Sequence, residues 1–215
     1  APLSPEAASA VIVGMAVGAF VGSRLIAALE DPSQFIHPLS LAYYVGSQTV
    51  AGGFFGGILG VEIAKKIIGI KRKTGDFFVY PVIFATAIGR LGCLLTGVSD
   101  GTVGLPSNAP WAFNQGDGIL RHPTSAYEII FCLAMFFILK FAERHRPLLK
   151  LREGDLFAVF MLTYFTFRFF VEFIKPIEPL IIGLSSIQAV SLVAMVYYLC
   201  FFASRLFKRE TIAHI

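Results

Sequence analysis

Charge is scarce in this chain of 215 residues, where Asp, Glu, Lys and Arg together make up 15%; a soluble domain carries roughly 25%. That deficit, with 56% apolar residues and a mean hydropathy of +0.73, excludes a disordered chain, a coiled coil and a collagen-like one. Cysteine is nearly absent too. Cys93, Cys132 and Cys200 lie far apart inside apolar runs, which is neither a disulfide framework nor a zinc spacing and reads as small core residues. There is no Walker loop, no HExxH and no GxSxG, so nucleotide, zinc-hydrolase and serine-hydrolase chemistry have no support. Neither a metal nor a cofactor is expected. No basic residue precedes Arg24, which stands behind the first apolar run rather than before it, so the start does not read as a signal peptide. The first residue is not Met, as expected of a sequence that begins partway into a longer protein. The net charge of +4 does not argue for a nucleic-acid partner, because in so apolar a chain the placement of the cations matters more than their sum.

What the chain has is apolar length. Stretches long enough to cross a bilayer, about 20 residues each, fall at 7–29, 44–66, 77–98, 124–142, 155–174 and 182–206. They predict an all-α fold, a polytopic membrane helical bundle of about six transmembrane helices forming a single transmembrane domain over 1–215. A β-barrel would need alternating strands of about ten residues, and these runs do not alternate. Most of the 18 basic residues follow the second, fourth and sixth stretches: Lys65, Lys66, Lys71, Arg72 and Lys73, then Lys140, Arg144, Arg146, Lys150 and Arg152, then Arg205, Lys208 and Arg209. The positive-inside rule makes that side cytoplasmic, so the first span starts in the cytoplasm and the C-terminus ends there. The connections 30–43, 99–123 and 175–181 carry only Arg121 and Lys175 and are expected outside. The loop 99–123 holds four glycines, three prolines and the single Trp, Trp111. A connection of that length is a functional loop or an unstructured one, and both readings stay open.

Arg24, Arg90 and Arg168 lie inside the spans, where each costs at least about 2.5–3.5 kcal/mol and needs a partner or a wet cavity. With the orientation above, all three fall in the outer half of the membrane. Glu172 follows Arg168 at i+4, on the same helix face, and Glu128 is expected at a similar depth. Two readings remain. Either Arg168 and Glu172 neutralise each other and tie helices together, or the surplus guanidinium groups form a pocket for an anion, at that depth a phospholipid phosphate. Gly52, Gly56 and Gly60 form a small-xxx-small stripe on the second helix, which points to close helix packing or to a backbone that approaches a lipid. Glu62, near the cytoplasmic end of that helix, has no expected role.

Several of these segments resemble the prolipoprotein diacylglyceryl transferases of bacterial inner membranes. Gly22-Ser23-Arg24-Leu25 resembles a GGR-type segment of that family, and Ala51-Gly52-Gly53 stands where the family has His-Gly-Gly. Gly89-Arg90-Leu91-Gly92-Cys93 is similar to GRxGN, with Gly97 and Gly101 in step beyond it. Arg121-His122-Pro123-Thr124-Ser125-Ala126-Tyr127-Glu128 is similar to RHPSQLYE, Tyr164 to Phe173 reads YxxxRFxxEF, and Leu184-Ser185 with Gln188 is similar to LSxGQ. The family fold has seven helices, and the resemblance begins at the second.

The resemblance implies transfer of the diacylglyceryl group of phosphatidylglycerol to the lipobox cysteine thiol of a prolipoprotein, with release of glycerol phosphate. The expected partners are phosphatidylglycerol, the prolipoprotein signal peptide and membrane lipid. Arg90 and Arg168 would hold the lipid phosphate and leaving group, and Glu172 would orient Arg168, making these three the catalytic set. Arg24 would add a cation and Tyr164 a hydrogen bond to the headgroup. Gly92, Gly101, Arg121, His122, Tyr127, Glu128 and Gln188 are the further substrate-binding candidates. Three family features differ: Ala51 replaces the His that would act as base, Cys93 replaces an Asn, and Val98 replaces an acidic residue. His122 is a structural histidine of the outer loop or, reaching in, a substitute base. The alternative implied is an inactive relative that binds phospholipid or a lipoprotein partner, with membrane subunits of a complex as further partners.

Overall fold

The computed structural model describes residues 4–30, 48–100, 102–176 and 183–213. It is almost entirely helical: α1 (Pro5–Glu30), α2 (Val50–Ile67), α3 (Gly75–Thr96), α4 (Thr124–Arg144), the short α5 (Arg146–Leu149), α6 (Asp155–Val171) and α7 (Ser186–Ala213). Two-residue strands β1 (Phe113–Asn114) and β2 (Leu120–Arg121) form a hairpin between α3 and α4. Among the described residues, five helices are long and apolar enough to span a membrane, at Pro5–Leu29, Gly75–Ser99, Thr124–Arg144, Asp155–Ile174 and Ser186–Arg205. The span expected at 44–66 is the 18-residue α2, which carries Glu62, Lys65 and Lys66 near its end and so falls outside that set; positions 44–47 lie outside the described residues. The helices group into two compact units, one holding α1, α2 and α7 and the other running from α3 to the turn after α6.

In the first unit α1 and α2 approach backbone to backbone. Gly14, Gly18 and Gly22, at four-residue spacing, face Gly52, Gly56 and Gly60; a Cβ on Gly18 would strike the Gly56 carbonyl, and one on Gly56 the Gly18 carbonyl. Only residues without side chains allow this approach, which is the packing reading of the α2 stripe. Thr49 caps α2 by accepting from the Gly52 N–H at 3.2 Å, and its own N–H reaches the Ser23 carbonyl at 3.2 Å, fastening the start of α2 to α1. The far end of α2 closes in a Schellman motif, with Gly69 at φ +74 and the Ile70 N–H on the Lys65 carbonyl at 2.8 Å.

In the second unit α6 is the most enclosed element, burying Leu156, Phe160, Met161, Tyr164, Phe165 and Arg168. Phe131 of α4 stacks on Phe167 at 4.5 Å between centroids. Asp76, in the first turn of α3, accepts from Arg146 Nη2 at 2.7 Å and from the Phe157 N–H at 3.1 Å, so a carboxylate of one helix caps the N-terminus of another. Apolar side chains such as Leu95, Ile130 and Phe137 remain exposed, as helices surrounded by lipid require.

Local side-chain bonds order the hairpin part of the connection between α3 and α4. Asn114 Oδ1 accepts from the N–H of Gly116 at 2.9 Å and of Gly118 at 3.0 Å. Asp117 Oδ1 takes the Ile119 N–H at 3.0 Å, while Arg121 grips Asp117 Oδ2 from Nε at 2.9 Å and Nη2 at 2.7 Å. Those guanidinium bonds hold the Asp117 carboxyl below its usual range. Gly97 ends α3 at φ +69, with the Gln115 carbonyl where a side chain would go.

Candidate functional site

The three long helices of the second unit alternate in direction, so the end of α3, the start of α4 and the end of α6 share one level. Arg90 lies two turns before the end of α3, Glu128 four residues into α4, and Arg168 in the last turn of α6. Their side chains converge on one oxygen. Glu128 Oε2 is 2.9 Å from Arg90 Nε and 3.3 Å from Arg168 Nη1. Arg168 Nη2 reaches Glu172 Oε2 at 3.1 Å, the i+4 contact expected along the helix. Tyr164 donates its hydroxyl to Glu128 Oε1 at 2.6 Å. All five side chains are buried.

Glu128 carries the balance of charge. With it, two carboxylates meet two guanidinium groups, and Glu172 alone is no longer the counterion. Donors outnumber acceptors all the same. A guanidinium has five N–H groups, and Arg168 donates two of them to carboxylates while its buried Nε has no acceptor. Arg90 approaches Glu128 as a charge pair without an aligned N–H, and its Nη1 reaches only the Cys93 sulfur, at 3.9 Å. Unmatched guanidinium N–H groups are the kind of donor that pairs with a multi-oxygen anion such as phosphate.

The other sequence candidates fall into three groups. Tyr164, expected at a headgroup, is fully buried and committed to Glu128. His122 and Tyr127 pair at 3.0 Å between Nδ1 and the hydroxyl, and that hydroxyl accepts from Trp111 Nε1 at 2.7 Å, so the histidine anchors the hairpin to α4. Arg121 is tied to Asp117 and to the Gly104 carbonyl at 3.4 Å. Gly92 is exposed, with open space around its Cα, as is Gly89 one turn back; bare backbone therefore flanks Arg90. Gly101 lies outside the described residues.

Two candidates belong to the α1–α2–α7 unit. Arg24 is half-buried, its Nη1 3.3 Å from Ser23 Oγ and its guanidinium carbon 3.9 Å over the Phe20 ring. Gln188 is fully buried, its Oε1 accepting from the Ser185 N–H at 3.0 Å while Ser185 Oγ accepts from the Gln188 N–H at 3.1 Å. That is a reciprocal capping box at the start of α7, and Ser-x-x-Gln before an apolar run is its sequence signal. Ala51 is fully buried in the first turn of α2. Glu62 pairs with Lys65 at 2.9 Å.

Comparison with known proteins gives this geometry a context. Residues 2–204 match the family described as prolipoprotein diacylglyceryl transferase. The phosphatidylglycerol–prolipoprotein diacylglyceryl transferase of Bordetella bronchiseptica is 32% identical over 178 residues, covering 78% of this chain and 62% of the relative. The Geobacter sulfurreducens protein of that name is 34% identical over 190 residues, 82% of this chain and 67% of the relative. The Pseudoalteromonas translucida one is 37% identical over 131 residues, 57% of this chain and 46% of the relative. The chain thus spans about half to two thirds of the length of these relatives. No solved structure matches it. The match runs through α1 to α7 and includes every residue of the buried Arg90–Glu128–Arg168–Glu172 cluster, and the chain belongs to the prolipoprotein diacylglyceryl transferase family.

Proposed function

We propose that this chain transfers the diacylglyceryl group of phosphatidylglycerol to the lipobox cysteine of a prolipoprotein, at the outer leaflet of the bacterial inner membrane, with its C-terminus in the cytoplasm. The observation that carries the reading is the meeting of Arg90 and Arg168 on one buried carboxylate with guanidinium donors left over. Displacement at the glycerol carbon leaves a phosphate dianion, and fixed donors stabilise developing charge most where water is scarce. Arg90 and Arg168 bind the phosphate through their unmatched N–H groups. Glu128 and Glu172 set the two guanidinium planes and keep both cations tolerable inside the membrane. Because Tyr164 already occupies Glu128 Oε1, its part is to hold that carboxylate rather than to touch the lipid.

Burial of Ala51, where the family resemblance calls for histidine, favours a second reading: a relative that binds phospholipid, alone or beside other membrane subunits, and does not turn it over. One assay separates the two. Purified protein given phosphatidylglycerol vesicles and a lipobox peptide is expected to release glycerol phosphate and yield a thioether-linked diacylglyceryl peptide. Bound lipid with no release at any pH would leave only the binder.

A further inference from the structure

Lipid explains the large apolar side chains that face outwards on the spanning helices. The hairpin between α3 and α4 belongs to neither of the spans that flank it, so the same exposure there needs its own cause. Trp111 is 62% exposed, Phe113 and Leu120 53% each and Ile119 42%. A loop that stands in water carries polar residues at such positions, and an ordered apolar patch marks a surface that meets something apolar.

The polar groups of the hairpin are turned inwards. Between Leu105 and Arg121 the charged residues are Asp117 and Arg121 alone, and they neutralise each other through two guanidinium bonds with both side chains largely covered. The turn N–H groups of Gly116, Gly118 and Ile119 go to the Asn114 and Asp117 side chains. The Ser107 N–H goes to the Leu120 carbonyl at 2.9 Å, and the Ala109 N–H to Ser107 Oγ at 3.1 Å. Trp111 Nε1 donates to the Tyr127 hydroxyl. The position of the hairpin is fixed as well. The Val98 N–H donates to the Gln115 carbonyl at 3.1 Å and the Leu105 N–H to the Ile174 carbonyl at 2.8 Å. The hairpin is thus tied to the end of α3, to the turn after α6 and, through Tyr127, to the first turn of α4. Those are the helix ends that gather Arg90, Arg168 and Glu128. Leu95 on α3 and Phe170 on α6, both exposed, carry the lipid-facing surface to the same level.

We infer that the hairpin docks on the lipid surface, with Trp111, Phe113, Ile119 and Leu120 entering the boundary between headgroups and acyl chains in the leaflet at the level of the cluster. A segment whose charges and N–H groups are paired internally loses little on leaving water, and its apolar side chains gain. Tryptophan suits that boundary because its ring is apolar and its N–H needs a partner, here the Tyr127 hydroxyl. The docking continues the lipid-facing surface of α3 and α6, and it holds whether or not the chain turns lipid over.

Trp111 is the only tryptophan of the chain, so its fluorescence reports on the hairpin without a label. The full chain is placed in phosphatidylcholine vesicles whose acyl chains carry bromine near the headgroup, bromine near the methyl end, or none. Trp111 is expected to lose more than half of its emission to bromine near the headgroup, less to bromine near the methyl end, and little to iodide in the water. Phe113→Asn with Leu120→Asp changes two exposed side chains and leaves the bonds of the turn in place. That variant should shift the emission to the red and make iodide the stronger quencher, while Phe113→Tyr, which keeps an interfacial aromatic, should match the unmodified protein. Quenching by iodide and by neither brominated lipid would put the hairpin in water and overturn the inference. Protection from all three quenchers that grows with the protein-to-lipid ratio would mean that a second copy covers the patch, and overturns it too. Unchanged lipid quenching in the double variant would show that α4 alone brings Trp111 to lipid, and the inference would fall.

Discussion

Glu128 shows how one carboxylate governs the chemistry of its neighbours. It holds Arg90, Arg168 and Tyr164 at once; without it Arg168 keeps Glu172, but the buried Arg90 loses its carboxylate among the described residues. Glu128→Gln is expected to lower unfolding free energy in detergent by about 3–5 kcal/mol; an unchanged denaturant midpoint would mean that the guanidinium groups have another counterion. Much of this cluster was legible beforehand, because an arginine inside an apolar run demands explanation and Glu172 sits at i+4 from Arg168. The depth of Glu128 was legible too. Its contact with both arginines was not, since that depends on how three helices pack.

At the scale of elements, α1 and α2 illustrate packing decided by what is missing. The four-residue glycine spacing was readable on both helices, and only the structure pairs Gly14, Gly18 and Gly22 with Gly52, Gly56 and Gly60. The Ser23 Cβ lies 3.7 Å from where a Cβ on Gly53 would stand, within the span of a disulfide. In a background without Cys93, Cys132 and Cys200, the pair Ser23→Cys and Gly53→Cys is expected to cross-link. Adding Gly56→Leu, which forces a side chain against the Gly18 backbone, should abolish the cross-link. Persistence of the bond would show that the helices need no such close approach. The hairpin was harder to foresee, because Asn114, Asp117 and Arg121 order the loop through side-chain bonds that no hydrophobic period announces. The capping box of Ser185 and Gln188 was readable in principle, as a motif that closes a helix end.

For the whole molecule, hydropathy carried most of the fold: among the described residues five helices meet the length and composition of a span, and their bounds follow the apolar runs. The second expected span fits less well because Glu62, Lys65 and Lys66 crowd its end. The central claim concerns two guanidinium groups gathered from separate helices to hold one lipid phosphate, and phosphatidylglycerol retention after purification measures it directly. Arg90→Ala and Arg168→Ala should each retain at least about tenfold less lipid than the unmodified protein, the loss of one charge-assisted phosphate contact of about 1.5–3 kcal/mol. Arg146→Ala, whose guanidinium pairs with Asp76 away from the cluster, should retain it fully. Full retention by both cluster variants would contradict the account.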